Sequence, residues 1–439
     1  MKSRRLLILF PLLILLLIFA GWFGLHFFVQ SDTFRDWLSR RVGRSIHADG
    51  KFEPLTWEGS TFRSAGFSAT GGPHSKLRSL QVTNISAHID WRRLLQGVLA
   101  IDLVTVDKVD AVAGKSRGPT PAKPATPQQS RSPISSFSID VRVERLYAPS
   151  ANLHWQTTTG ENGEFTETKL TATRTVGDQW DILAVGGTAR HANYPPLQVD
   201  RIHCSVNQDS ISILDGKASV PGGGDVAITG RISTAKELNA QLTSDFSALE
   251  LNPLLPEPWR IGGKISGRLT YTGDFDRFEH GEVAGAIKID GATFDMTNVF
   301  PTLRKLAKFG GLNDVRLDSI DTHLKYKEQR LELSDFHATS GDQIRVEGSG
   351  AITPDRLDAE LVVGLSPKIL GWIPGAEEKV FVDQRDGLRW AKVTISGSLA
   401  RPKEDLTQRL IAAFRDKMTK EFNGETNDSF KSLLDMFHH

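Results

Sequence analysis

The chain has 439 residues, enough for two or three domains and a large core. Lys and Arg number 53 against 52 Asp and Glu, a net charge of +1 without a basic block beyond the N-terminus, which argues against a nucleic-acid partner. The single cysteine, Cys204, forbids an internal disulfide, and 39 glycines with 20 prolines point to many short strands and turns.

Leu6 to Val29 is an apolar run broken only by Pro11, two glycines and His26. As a helix rising ~1.5 Å per residue it reaches ~36 Å, enough to cross a hydrocarbon core of ~30 Å with some tilt. Residues 1–30 are therefore expected to be a transmembrane anchor. Lys2, Arg4 and Arg5 precede the run, so the N-terminus is expected to stay cytoplasmic and the rest to be exported. A cleaved signal peptide fits less well, because bulky Trp22 and Phe23 follow Ala20-Gly21 where small residues belong.

Phe34, Trp37, Leu38 and Val42 recur at helical spacing and predict a short helix with Arg35, Arg40, Arg41 and Arg44 on its other faces. Those arginines are either a solvated face or a contact to lipid headgroups. From Gly50 the period becomes 2, as in Ile85, Ala87 and Ile89, and a turn at 91–97 leads into a second strand at 98–112. The sequence IDWRRLLQGVLAIDLVTVDKVDA, residues 89–111, resembles the N-terminal region of AsmA-like proteins, which are envelope proteins carrying an N-terminal anchor. Residues 31–113 are expected to form such a β region.

Gly114 to Ser136 carries five prolines and almost no apolar residues, so it is expected to be a linker or long loop. Alternation resumes at Phe137 with Ile139, Val141 and Val143 and continues to Leu399, suggesting a central sheet over 137–290 and a second β region over 291–401. Asp215 to Ile232 can be laid on Asp335 to Ile352 at an offset of 120 residues, and 238–242 on 357–361 after one deletion. Chance likeness between half-buried strands explains this as well as duplication does. A helix is expected near Val299, Leu303 and Leu306, ended by Gly310-Gly311. The segment from Leu331 to Val363 and the closing TISGSLARP resemble the AsmA-like C-terminal region.

Past Pro402, Leu406, Leu410, Ile411, Phe414 and Met418 form a stripe, so 402–439 reads as an amphipathic helical tail. It caps the last sheet, or it docks on a partner or membrane.

Catalytic patterns are missing: there is no H-E-x-x-H, G-x-S-x-G or P-loop, and Gly222-Gly223-Gly224 lies between strands as a hairpin turn. His203 and Cys204 are neighbours in an alternating strand, pointing to opposite faces and so unable to share one metal. No cofactor or metal site is expected, and the chain reads as a non-enzyme.

The fold class expected is mainly β: a long curled antiparallel sheet with an N-terminal transmembrane helix and a few short helices. A one-sided apolar sheet either closes into a sandwich or stays open as a trough. The AsmA-like resemblance implies the trough, because that family is similar in pattern to bridge-like lipid-transfer proteins. On that basis Ile265, Leu269, Ile287, Ile289, Leu331, Leu333, Ile344, Val346, Val393 and Ile395 are the candidate lining of a lipid groove. The resemblance also implies a bacterial inner-membrane protein with its bulk in the periplasm, taking phospholipid or another envelope lipid as partner. An outer-membrane or periplasmic protein is a further possible partner. A different class of function, assembly of outer-membrane proteins through exposed strand edges, is open at this point.

Overall fold

The computed structural model describes residues 30–114, 140–254, 262–294 and 315–421, apart from short gaps at 73–74, 76, 91–92, 94–97, 157–159, 193, 235–238, 275–276, 278–279, 372 and 400. The expected anchor, Pro-rich segment, 299–308 helix and last part of the tail lie outside those residues. Among the described residues no helix is long and apolar enough to cross a membrane. Backbone contacts divide the chain into two compact units, 1–216 and 217–439. The boundary read from sequence between 290 and 291 falls instead inside a strand, Glu282–Phe294. Alternation marks strands, but not which of them pack into one unit.

The first unit opens with helix α1, Asp32–Ser45, where the Ser31 side chain caps the N-terminus by accepting from the Phe34 amide. Phe34 packs against Trp37 within the helix and against Phe62 of the sheet, with ring centroids 5.7 and 6.5 Å apart. The Ser39 hydroxyl accepts from the Phe52 amide, tying the helix to strand β1. The predicted apolar stripe thus faces protein, and Arg35 of the polar face is paired with Asp32.

Strands β1 (Ala48–Phe52) and β2 (Leu55–Glu58) both pair with β3 (Thr61–Gly71), which pairs with β4 (Leu77–Asp90). The other side of β4 is taken by β5 (Val98–Thr105) and β6 (Lys108–Ala113) in succession. The long sheet is antiparallel, as expected, except here. β7 (Asp140–Val143) runs parallel to β5, and β8 (Arg145–Gln156) runs parallel to β5 and β6. A parallel neighbour requires a connection that returns along the strand, and the segment between Ala113 and Asp140 is that connection. Alternation carries no strand direction, so the sequence did not reveal it. Antiparallel order resumes with β9 (Asn162–Arg174), β10 (Trp180–Val185), β11 (Thr188–His191) and β12 (Leu197–Val206). β13 follows at Ser210–Ser219.

The second unit is an antiparallel meander in which each strand pairs with the next. Its members are β14 (Asp225–Ser233), β15 (Asn239–Glu250), β16 (Gly262–Asp274), β17 (Glu282–Phe294), β18 (Val315–Lys327), β19 (Arg330–Ser340), β20 (Ile344–Ile352) and β21 (Leu357–Leu365). Two short helices follow, α2 (Pro367–Leu370) and α3 (Ala376–Lys379). Then β22 (Asp383–Arg385) and β24 (Arg401–Glu404) flank the outer edge of β23 (Leu388–Ser398), whose inner edge pairs with β21. Helix α4, Leu406–Glu421, ends the described chain. The predicted glycine turn precedes β14: Gly222, Gly223 and Gly224 all have left-handed φ, and the Val220 amide donates to the Gly224 carbonyl at 2.9 Å. Both stretches of the weak repeat fall on the end of one strand and the whole of the next, β13 with β14 and β19 with β20.

Candidate apolar binding face

In an antiparallel pair, residues directly opposite each other project to the same face, so the register alone decides which side chains share a surface. In the second unit one row runs Leu249, Ile265, Ile289, Ile320, Ala338, Val346, Val363, Ala391 across eight strands. A second runs Ser244, Leu269, Gly285, Leu324, Leu333, Gly350, Ala359, Ile395. Ile287 lies between them, opposite Gly267 and Thr322, and Leu331 and Ile344 join through Tyr326 and Leu365. All ten candidate residues therefore stand on one face.

Keeping them there takes two bulges. Ala248 and Asp335 adopt left-handed φ of 52° and 50°, and at each the pairing register shifts. In β19 the apolar positions change from Leu331 and Leu333 to Phe336 and Ala338, one residue out of step, and still meet the same neighbours. The Ser266 hydroxyl accepts from the freed Ala248 amide at 2.9 Å. Two glycines on this face are required by close approach: a Cβ at Gly267 would stand 2.3 Å from the Ala286 carbonyl oxygen, and one at Gly285 2.0 Å from that of Arg268.

The ten residues do not share one environment. Val393 and Ile395 are 4 % and 6 % exposed, inside a cluster with Leu370, Phe381, Leu406, Leu410 and Ala413 of the helical segments. They line no open trough. Leu406 and Leu410 of the amphipathic stripe beyond Pro402 pack over them, on the face of the sheet. Ile289, 8 % exposed, belongs to a second cluster with Leu251, Ala292, Leu317, Ile320 and Ala338, and Ile265 and Val346 pack against it. Leu269, Ile287, Leu331, Leu333 and Ile344 are half-buried and outside both clusters. What remains of the candidate lining is this half-covered middle.

The opposite face is charged and paired. Arg268 makes a forked contact to Asp245, with Nε–Oδ1 at 2.5 Å and Nη2–Oδ2 at 3.2 Å, and Lys288 meets Asp290 at 2.9 Å. Glu282 accepts from Lys325 and Lys327 at 3.0 and 3.4 Å, and these bonds, Lys325 first, hold its carboxyl below the usual range against some desolvation. A water-facing charged side and an apolar side that is partly open are thus built from alternate residues of the same strands.

The first unit carries an apolar face of its own. Ala87, Val104, Leu146, Ala172, Ile182 and Cys204 stand opposite one another in turn. At one end Ile89, Leu99 and Ile101 form a buried cluster against Phe62. His203 and Cys204 do point to opposite faces: His203 pairs with Asp181, while burial, with the Asp181 charge, pushes the Cys204 thiol upward. Among the described residues no group of His, Cys, Asp and Glu is arranged to hold a metal ion.

Sequence reading missed α2, α3 and their anchors Leu370, Val380 and Phe381. The apolar pairs in 369–370 and 380–381 were the available signal, but runs this short have no readable period. No family model, no curated protein and no solved structure matches the chain.

Proposed function

We propose that the chain is a membrane-anchored, non-enzymatic envelope protein that holds lipid acyl chains on the apolar face of its sheet for lipid transport between membranes. The observation carrying this reading is that Leu269, Ile287, Leu331, Leu333 and Ile344 share one face in register and are only half-buried. Exposed apolar surface of that kind costs free energy unless something covers it. Moving a lipid through water costs ~0.8 kcal/mol per exposed methylene, so a chain of a dozen methylenes meets a barrier of ~10 kcal/mol, and an apolar face removes most of it without bond chemistry. Headgroups stay in water. The anchor at Leu6 to Val29, the periplasmic placement of the bulk and the AsmA-like resemblance belong to the same proposal and make it coherent: one end fixed in a membrane, the sheet beyond it.

The second reading, pairing of client strands with an exposed edge, has less support at β23. There β22 and β24 occupy the outer edge, and side chains cover backbone groups between them. Mass spectrometry of lipids co-purifying with the full chain tests the proposal. Stoichiometric phospholipid or another diacyl lipid is expected, and client polypeptide without lipid would favour the second reading.

A further inference from the structure

The apolar rows of the second unit run without a break to β23, so pattern alone would let a bound acyl chain slide off the C-terminal end of the sheet. The helices change that. We propose, resting on the lipid reading above, that α2, α3 and α4 form a fixed stopper: a lipid on this face reaches no further than β20 and leaves over the open side. The cover is a packed core. Phe381, Leu370 and Leu410 are buried to 2 % exposure or less, directly over Val393 and Ile395.

The same cover is tied down on three sides. Glu377 of α3 pairs with Arg389 of β23 at 3.0 Å. Glu378 and Lys379 of α3 pair with Lys417 and Asp416 of α4. At the start of α4, Asp405 bonds the Thr394 backbone, and Arg409 Nη1 donates to the Lys392 carbonyl at 2.5 Å. Gly375, at φ 79°, seats the start of α3 so close to α4 that a Cβ there would lie 2.6 Å from the Ala413 carbonyl oxygen. A segment that opens readily has few buried apolar contacts, and this one packs Leu370, Ala376, Val380, Phe381, Leu406, Leu410 and Ala413 into a single buried cluster with β23. Leu333 and Ile344, by contrast, lie outside that cluster, two strands and one strand short of β21, whose half-buried Leu357, Leu361 and Leu365 pack against it.

Two measurements on the full chain, in a Cys204→Ala background, test this. First, a small aliphatic diazirine residue is placed at Ile287, Leu333, Leu361 or Leu365, and the protein is irradiated with phosphatidylethanolamine–phosphatidylglycerol vesicles. Lipid adducts are expected at Ile287 and Leu333 and at least about tenfold fewer at Leu361 and Leu365, which lie beneath the cover. Second, Glu377→Cys/Arg389→Cys and, separately, Lys379→Cys/Asp416→Cys are bridged with a short bis-maleimide. Lipid exchange between vesicles is expected to stay within about twofold of the unbridged variants. Equal adducts at Leu361 and Leu333, or a loss of exchange of about tenfold on bridging, would show the cover to be a gate and overturn the stopper. Adducts at none of the four sites would remove the lipid reading itself and the stopper with it.

Discussion

Thr394 and Asp405 hold each other through both of their backbones: the Thr394 amide donates to Asp405 Oδ1 at 2.9 Å, and the Asp405 amide donates to the Thr394 carbonyl at 3.3 Å. A side chain thus stands where a neighbouring strand would, in the gap between β22 and β24 along the outer edge of β23. Unpaired strand edges invite pairing with other chains, and occupying the backbone groups prevents it. Asp405→Ala is expected to cost about 1–2 kcal/mol, the worth of a hydrogen bond to a charged acceptor, and to promote concentration-dependent association. Urea unfolding and light scattering check both. An unchanged midpoint with a strictly monomeric protein would show that this edge needs no guard.

Val393 and Ile287 face the same side of the sheet in different surroundings. Val393→Asp places an unpaired charge in a dry core and is expected to cost several kcal/mol, a large part of a typical domain's stability. Ile287 is half-buried, so water reaches an Asp there. Ile287→Asp should keep the fold, with a loss near ~1 kcal/mol, while losing lipid. Thermal unfolding of the two variants side by side gives the contrast. Unfolding by Ile287→Asp would mean that this part of the face is closed.

The parallel pairing of β7 with β5 sets a minimum for the connection before it. Val98 stands opposite Asp140 and Ala113 opposite Trp155, so the chain leaving Ala113 must return the length of β5 and β6, ~50 Å at ~3.3 Å per residue. Deleting ten residues from 114–139 leaves a connection that reaches ~60 Å at full extension, and stability should change by less than ~1 kcal/mol. Deleting sixteen leaves ~40 Å, which is too short, and the first unit should lose much of its stability. Equal melting temperatures for the two deletions would rule out the parallel register.

The alternation that marks Ile265, Leu269, Ile287 and Ile289 as one face was legible because no bulge interrupts those stretches of β16 and β17. Leu331 and Leu333 stand on that face too, whereas Phe336 and Ala338 of the same strand carried no readable signal: Asp335 takes a left-handed conformation that a simple period of 2 does not anticipate. Strand direction was invisible for a related reason, since β7 alternates in the same way whether it runs with β5 or against it. Val393 and Ile395 were assigned to the correct face but the wrong surroundings. Their cover comes from residues such as Phe381 that lie outside the strands and lack any period of their own.

Glu282 supplies the expected pH dependence. Its folded-state carboxyl is held low by Lys325 and Lys327, so its contribution to stability is full at neutral pH and is lost as pH falls through that lowered value. The gap in urea midpoint between the protein and Glu282→Gln should therefore narrow in acid, and also in high salt because the site is exposed. A gap that widens in acid would reverse the sign argued here.

Lipid on one face and water on the other is tested most directly by photo-crosslinking with period 2 along the strands. Crosslinkers at Leu269, Ile287 and Leu333 are expected to capture lipid, and those at Lys264, Arg268, Lys288 and Lys392, on the charged face, are not. Adducts to protein alone at the apolar positions, or lipid captured equally on both faces, would contradict a lipid-holding sheet.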